Sequence, residues 1–256
     1  MVALNNLGKF SVLLLSAGRG SRLGKTGKIV PKSLLKIGNK TILHRIINYL
    51  TSRGLKELNI VVGYKYKAII NELHKFKDLK VNYIKIKDYV NNGSSFSWFK
   101  FQSLWNKKKK PLLIMHTDIV FDPRHIDNII TSKKENIIGI KKERKIKLKE
   151  KSFVAQVNKK MEVTKIGLNK EVTKPYGEIT CINRFSIKSS NKIFKFMKDY
   201  FEINGSGMTW EYILSDFIQF QSNEKIFILK NQIFKWVNVN TLKDLSAAKK
   251  LFAEKN

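Results

Sequence analysis

Two hydrophobic periods alternate along the first half of this chain. Residues 10–16 form an almost unbroken apolar run, as in a strand covered on both faces. Thr41 then precedes Leu43, Ile46, Ile47 and Leu50, a spacing of i, i+3, i+4 and i+7. That spacing predicts a helix capped by the threonine and ended by Gly54. Residues 58–62 read as the next strand and 65–75 as the next helix; 81–86 and 112–116 read as further strands. A β-α-β-α-β order predicts an α/β fold with a Rossmann-like, doubly wound, largely parallel sheet, whose ligands gather at the carboxyl ends of its strands.

The second half changes texture, so the sheet is expected to be mixed. Shorter strands are predicted at 137–140, 153–157, 161–166 and 178–185, then helices at 191–201 and 209–221, then strands at 226–229 and 234–239. Thr241 with Asp244 resembles a capping box for a last helix that packs Leu245, Ala248 and Leu251. No repeat, proline-rich linker or low-complexity block divides the chain, which reads as a single domain over 1–256.

Composition changes this picture little, and charge more. The longest clean apolar run, 12–15, is far too short to cross a bilayer, and the first residues lack the succession of a secretory signal. A lone cysteine, Cys181, excludes an internal disulfide and fits a reducing compartment, so a cytoplasmic protein without a membrane span is expected. The formal net charge of +30 raises nucleic acid or an anionic surface as a partner. Arginine occurs only at 19, 22, 45, 53, 124, 144 and 184, so the excess is lysine, spread along the whole chain among abundant Asn and Ile. The densest runs, 107–110 and 141–151, read as solvated loops. A dedicated nucleic-acid function is therefore not expected, whereas attraction of anionic substrates is.

The first strand runs into Ala17-Gly18-Arg19-Gly20-Ser21-Arg22-Leu23, and Pro31-Lys32-Ser33-Leu34 follows. Glycines let backbone N–H groups converge on anionic oxygens, and arginine offers a charged fork to the same oxygens, so this loop suits a polyphosphate. It is not a Walker loop, since Gly-Lys-Ser/Thr does not follow at the required distance, and no acidic residue ends a second strand as an NAD ribose would need. Taken together the segment resembles the N-terminal motif of the sugar-phosphate nucleotidyltransferases, a pyrophosphorylase superfamily with a GT-A-like fold.

Two later segments extend the resemblance. In His116-Thr117-Asp118-Ile119-Val120-Phe121-Asp122 an apolar strand ends in a carboxylate that can hold Mg²⁺ against phosphates. Asp118 looks like the family's metal-binding Asp. Asp122, before Pro123, reads as a helix N-cap, and His116 as a neighbour of the metal site at most. Trp236-Val237-Asn238-Val239-Asn240-Thr241 looks like the family's late segment carrying the second metal ligand. Here both acidic positions are Asn; Asn240 matches best and Asn238 is the competing register. A neutral amide is a weaker ligand, which places more of the metal on Asp118 and the triphosphate.

The middle of the chain resembles the family less specifically. Gly63-Tyr64 looks like the Gly-Tyr beside the nucleotide. Asn91-Asn92-Gly93-Ser94-Ser95 resembles the Asn-Asn-x-x-Ser stretch of the compact phosphocholine cytidylyltransferase branch, which implicates Asn92 and Ser95. Trp98, Phe99, Phe101 and Trp105, at helical spacing, read as core. Tyr176-Gly177-Glu178-Ile179 and Thr209-Trp210-Glu211-Tyr212 resemble elements that meet the acceptor, with Glu178, Trp210 and Glu211 facing a cationic or hydroxylated headgroup. Glu211 serves equally as a helix-start carboxylate favoured by the macrodipole.

The resemblance spans residues 10 to 250, with a nucleotide half near 10–120 and an acceptor half over 121–256. It implies transfer of a nucleotidyl group, CMP from CTP foremost, to a small phosphorylated acceptor of phosphocholine, phosphonate or polyol-phosphate type. Ala17, Gly18, Arg19, Gly20 and Ser21 would hold the phosphates, Arg22 would neutralise the leaving oxygens, Lys32 would reach the α-phosphate, and Mg²⁺ would sit on Asp118 and Asn240. Lys165, Lys170 or Lys174 would grip the acceptor phosphate, and a monomer or homodimer is expected. A sugar-1-phosphate uridylyl-, thymidylyl- or guanylyltransferase stays open, as does a non-catalytic basic nucleotide- or RNA-binding protein on the same fold.

Overall fold

The computed structural model describes residues 7–142, 150–221, 223–230 and 234–252. Most of the lysine run at 141–151 lies outside them. The chain opens with β1 (Ser11–Ser16), whose Val12, Leu13 and Leu14 are fully buried, and turns through the glycine loop into the short helix α1 (Gly24–Ile29). A two-residue ribbon, β2 (Lys36–Ile37) with β3 (Lys40–Thr41), leads into α2 (Ile42–Ser52). Thr41 caps that helix by accepting from the His44 N–H at 3.0 Å, and Leu43, Ile46, Ile47 and Leu50 are its buried face, as their spacing requires. Fully burying side chains of this kind contributes about 1.5–3 kcal/mol each.

Next come β4 (Glu57–Val62), α3 (Tyr66–Leu73), β5 (Lys80–Lys85), α4 (Ser94–Lys100), α5 (Gln102–Trp105) and β6 (Leu112–His116). Trp98, Phe101 and Trp105 are fully buried core residues; Phe99 is only partly covered. Strand β7 (Ile119–Phe121), α6 (Arg124–Thr131), β8 (Ile137–Lys141), β9 (Phe153–Val157), β10 (Val163–Leu168) and the nine-residue β11 (Gly177–Phe185) follow. The chain then runs through α7 (Ile187–Asn204), α8 (Trp210–Phe220), β12 (Trp236–Asn238) and α9 (Leu242–Phe252).

The main sheet has the order β10-β9-β11-β6-β1-β4-β5, with β8 also on β11. It is parallel at its centre, where β1 lies between β6 and β4 and β5 follows β4. It turns antiparallel beyond β6, through β11 and β9 to β10. The mixed, Rossmann-like α/β architecture expected from the two textures is the one observed. β1 and β6 therefore deliver residues 16–18 and 116–118 side by side at one end of the sheet, where parallel strands expose their carboxyl ends.

Three local expectations shift. Residues 226–229 form no strand: Phe227 makes only isolated bridges to Ile137 and Glu162, so the apolar alternation packs without a ladder. Helix α7 starts at Ile187 rather than 191, because Ser186 at the end of β11 accepts from the Ser189 N–H and caps it there. The strand expected from 161 begins at Val163, since a turn held by the Asn158 side chain puts Met161 at φ +63°. No helix among the described residues is long and apolar enough to cross a membrane.

Candidate active site

At the carboxyl end of β1, Ala17 accepts from the Tyr64 N–H at 3.0 Å, and the chain turns through Gly18, Arg19 and Gly20. Gly20 adopts φ +68°, and a Cβ there would stand 2.6 Å from Lys32 Cγ, so only glycine lets the lysine stem pass beneath the loop. A Cβ on Gly18 would meet nothing within 4 Å; its backbone faces open space. Arg19 and Ser21 are exposed on the loop, and Arg22 follows in a single 3-10 turn, Ser21–Leu23.

The Pro31-Lys32 turn is fastened from below by hydroxyls. Thr117 Oγ1 donates to Ser16 Oγ at 2.9 Å, and Ser16 Oγ donates to Ser33 Oγ at 3.3 Å, which ties β6, β1 and the turn together. Lys32 thus projects across the strand ends. Its Nζ donates to Asp118 Oδ2 at 2.8 Å and to Asn240 Oδ1 at 2.6 Å; Arg22 donates to the same Asn240 Oδ1 at 2.8 Å. Residues separated by more than two hundred positions meet at one point.

The antiparallel pair β7–β12 explains why Asp118 and Asn240 are abreast. Asn238 lies opposite Ile119, and the Val239 N–H donates to the Asp118 carbonyl at 2.8 Å. Asn240 is then fixed from its other side: its N–H and that of Thr241 both donate to Asp244 Oδ2, while Thr241 Oγ1 accepts from the Asp244 N–H. The expected capping box is present and does two jobs, starting α9 and aiming Asn240. Lys32 and Arg22 hydrogen-bond Asn240 and not Asn238, the competing register, whose Oδ1 is buried without a hydrogen-bond partner among the described residues. Asp122 accepts from the Arg124 N–H at 3.0 Å at the start of α6, as a capping residue would.

Burial pushes the Asp118 carboxyl up, but the Lys32 ammonium beside it outweighs this and holds it below the usual carboxylate range. The donor set is oxygen only, one carboxylate and one amide, and it already surrounds a cationic nitrogen. Asp118 Oδ1 is buried and lacks a hydrogen-bond partner among the described residues. These features fit a hard divalent cation such as Mg²⁺, which uses one or two protein oxygens plus phosphates. No cluster of three His, Cys, Asp or Glu side chains suited to a metal occurs among the described residues, so no all-protein cage competes with this arrangement.

A cleft of ≈ 190 Å³ opens beside these groups, lined by Ala17, Gly18, Lys32, Tyr89, Asn92 and Asp118 among others. Gly63 buttresses it, since a Cβ there would stand 2.8 Å from the Ala17 carbonyl. Two residues expected at the nucleotide are placed differently. Tyr64 sends its hydroxyl to the Lys28 carbonyl at 2.9 Å, bracing α1 instead of lining the cleft. Ser95 is buried and donates to the Met208 carbonyl at 2.6 Å.

That bond belongs to a seam the sequence does not announce. The Gly93 N–H donates to the Ser206 carbonyl at 2.8 Å, Ser206 Oγ donates to Asn92 Oδ1, and the Trp210 N–H donates to Ser94 Oγ at 3.1 Å. A Cβ on Gly93 would overlap the Met208 carbonyl. Residues 92–95 thus clasp the segment that starts α8.

On the acceptor side, Trp210 is 1 % exposed, packed against Trp98, and donates its indole N–H to His116 Nε2 at 2.9 Å. The expectation that it offers an open aromatic face is corrected: the indole is core. Glu211 is buried, and burial pushes its carboxyl up to about 7. Glu178 accepts from Ser152 Oγ at 2.6 Å. Of the three candidate lysines, Lys165 donates to the Glu171 carbonyl at 2.9 Å, whereas Lys170 and Lys174 are exposed; none lines the cleft. Cys181, at φ +59° in the irregular stretch of β11, is buried, and burial followed by the nearby Glu211, Asp118 and Glu178 carboxylates pushes its thiol up. Tyr89 and Ser97 also line the cleft with no motif in the sequence to mark them, beside Ser94 of the Asn91–Ser95 stretch.

Comparison with known proteins bears on this geometry. Residues 12–147 match the family described as MobA-like NTP transferase domain, and the chain belongs to that family. CTP:phosphoglutamine cytidylyltransferase of Campylobacter jejuni is 32% identical over 134 residues, 52% of this chain and 53% of that protein. D-glycero-alpha-D-manno-heptose 1-phosphate guanylyltransferase of the same organism is 34% identical over 85 residues, 32% of this chain and 38% of that protein. These alignments thus span about half, or less, of the curated relatives' length. The inositol-1-phosphate CTP transferase structure from T. maritima superposes with a TM-score of 0.76 at 16% identity, covering 94% of each chain, and so shares the fold.

Proposed function

We propose that this NTP transferase is a cytidylyltransferase that moves CMP from CTP onto a small phosphorylated acceptor and releases pyrophosphate. The convergence of Arg22, Lys32, Asp118 and Asn240 beside the open glycine loop carries the reading. An acceptor phosphate oxygen attacks the α-phosphorus; a new P–O bond forms as the bond to the β-phosphate bridging oxygen breaks, and pyrophosphate departs. The nucleophile is already ionised at neutral pH, so positioning and charge neutralisation suffice.

The backbone from Ala17 to Ser21 cradles the phosphates, with Arg19 at the rim. Arg22 meets the leaving β- and γ-oxygens, and Lys32 swings from Asp118 toward the α-phosphate, where charge grows. Asp118 and Asn240 would hold a magnesium ion, which would supply neutralisation of phosphate charge when bound. Glu178, held by Ser152, and Glu211 at the start of α8 are the acidic side chains of the acceptor side, which supports a cationic or hydroxylated headgroup of phosphocholine, phosphonate or polyol-phosphate type, whose phosphate an exposed lysine such as Lys174 would meet.

The preference for CTP rests on the Asn91–Ser95 stretch, on Thr209-Trp210-Glu211-Tyr212, and on the relative named as a cytidylyltransferase. The relative named as a guanylyltransferase favours a second reading, a sugar-1-phosphate nucleotidyltransferase with another base. Pyrophosphate release, measured with CTP, UTP, dTTP and GTP against pooled phosphorylated acceptors and Mg²⁺, tests both. Release with CTP and a non-sugar phosphate supports the first; release with GTP, UTP or dTTP and a sugar 1-phosphate replaces it with the second. RNA retention without any release overturns both.

A further inference from the structure

His116 ends β6 directly before Thr117-Asp118, with one ring nitrogen hydrogen-bonded and the other turned toward the carboxylate. Trp210 donates its indole N–H to Nε2 at 2.9 Å. An indole nitrogen can only donate, so Nε2 must present a lone pair, and the ring is neutral with its single proton on Nδ1. That Nδ1–H faces Asp118 Oδ1 across 3.8 Å. Oδ1 is the buried carboxylate oxygen without a hydrogen-bond partner among the described residues, while Oδ2 is taken by Lys32 at 2.8 Å. The two oxygens of one carboxylate therefore see different surroundings: the Lys32 ammonium in contact with one, a ring nitrogen 3.8 Å from the other.

We propose that His116 is a positioning residue for Asp118, its tautomer set by Trp210, holding Oδ1 so that Oδ2 alone is presented to a divalent cation once Lys32 turns to the nucleotide. The inference rests on the reading of Asp118 as a metal ligand. Its chemistry is ordinary: ligating carboxylates are oriented by outer hydrogen bonds whose loss costs about 10–100-fold in metal affinity. The consequence is specific to this chain. Trp210 is clasped to Ser94 and begins the helix that carries Glu211, so the acceptor half reaches the metal ligand through the Trp210–His116 hydrogen bond and the 3.8 Å approach of His116 to Asp118. A 3.8 Å separation is too long for a hydrogen bond; the contact closes when Lys32 releases the carboxylate.

Two readouts test this. In ¹⁵N-histidine-labelled protein without metal, His116 should show the Nδ1-protonated tautomer, identified among the four histidines by its absence in His116→Asn. Trp210→Phe keeps the aromatic body and removes only the donor, and should move His116 toward the Nε2-protonated form. In Mn²⁺ titrations followed by electron paramagnetic resonance with CTP present, His116→Leu should weaken binding about 10-fold or more, and His116→Asn, which restores an N–H near Oδ1, should recover most of it. An Nε2-protonated His116 in the wild type, or equal Mn²⁺ affinity in wild type and His116→Leu while Asp118→Ala loses the site, overturns the proposal. Should Asp118→Ala bind Mn²⁺ as the wild type does, the metal reading itself falls, and the tautomer alone decides the role of His116.

Discussion

The two walls of the cleft are built from similar residue types and used in opposite ways. On the glycine-loop wall, Lys32 and Arg22 have Asp118 and Asn240 as their side-chain partners among the described residues, and every one of those bonds can be exchanged for a phosphate or a cation. On the facing wall, Asn92, Gly93, Ser94 and Ser95 each have a polar group within reach of the Ser206–Trp210 segment, where a hydroxyl, a carbonyl or an N–H from the other half of the fold already meets it. The first wall is poised for ligand; the second is a joint. A polar residue beside a cleft is functional when its partner can leave, and structural when its partner is buried backbone.

Removing the charge from the first wall has the largest expected effect. Lys32→Ala should lower turnover by about 10²–10³-fold, the usual result of deleting one donor aimed at developing charge, while the melting temperature changes little. Steady-state kinetics beside a thermal melt separates the two effects. Normal turnover in this variant would make Lys32 part of the scaffold and erase the contrast between the walls.

Glu211, just past the joint, gives a pH dependence of defined sign. Its carboxyl, pushed to about 7 by burial, binds its proton more tightly folded than unfolded. It therefore supports the fold fully below the ordinary carboxylate range and progressively less as pH rises from about 4.5 to 7. Glu211→Gln should remove that slope and stabilise the protein at pH 8 relative to wild type by up to ~3 kcal/mol. Urea melts at pH 5 and pH 8 read it directly, and parallel behaviour of the two proteins would refute the burial argument.

Gly93→Ala probes the joint itself. The added methyl overlaps the Met208 carbonyl, so the seam must part, at a cost of about 1–3 kcal/mol typical of overpacking. Because the seam carries α8, the KM for the acceptor should rise more than the KM for the nucleotide. The smallest effect belongs to Ser95→Ala, which loses one buried hydrogen bond, about 1 kcal/mol of stability, with CTP affinity unchanged. A drop in CTP affinity there would return Ser95 to the nucleotide site and blur the two walls into one.

The same contrast explains what the sequence reveals. The glycine loop and Asp118 are legible because each sits where a strand ends, and Pro31-Lys32 because it follows the loop at short range, so local rules of turn and charge apply. Asn240 is legible once Thr241 and Asp244 are read as a cap, since the cap fixes the residue before it. The seam is not legible: its bonds join residues more than a hundred positions apart and use Ser, Asn and Gly, which serve many purposes. Trp210 illustrates the same limit, for an aromatic at a helix start reads alike whether it lines a pocket or fills a core. Arg184 is another case, a buried guanidinium donating to the Ile130, Ser132 and Glu135 carbonyls, with nothing in the neighbouring sequence to separate it from a ligand-binding arginine. Residues 226–229 err the other way: Phe227 bridges Ile137 and Glu162 on its two sides, but the pairing extends no further into a ladder.

The central claim is attack at the α-phosphorus on the Lys32–Asp118 wall, and the fate of a radiolabel tests it most directly. With Mg²⁺ and a phosphorylated acceptor, label from [α-³²P]CTP should appear in the acceptor product and label from [γ-³²P]CTP in pyrophosphate, and both transfers should vanish in Asp118→Ala. Label passing from the γ position to the acceptor, or undiminished α-transfer in Asp118→Ala, would contradict the account.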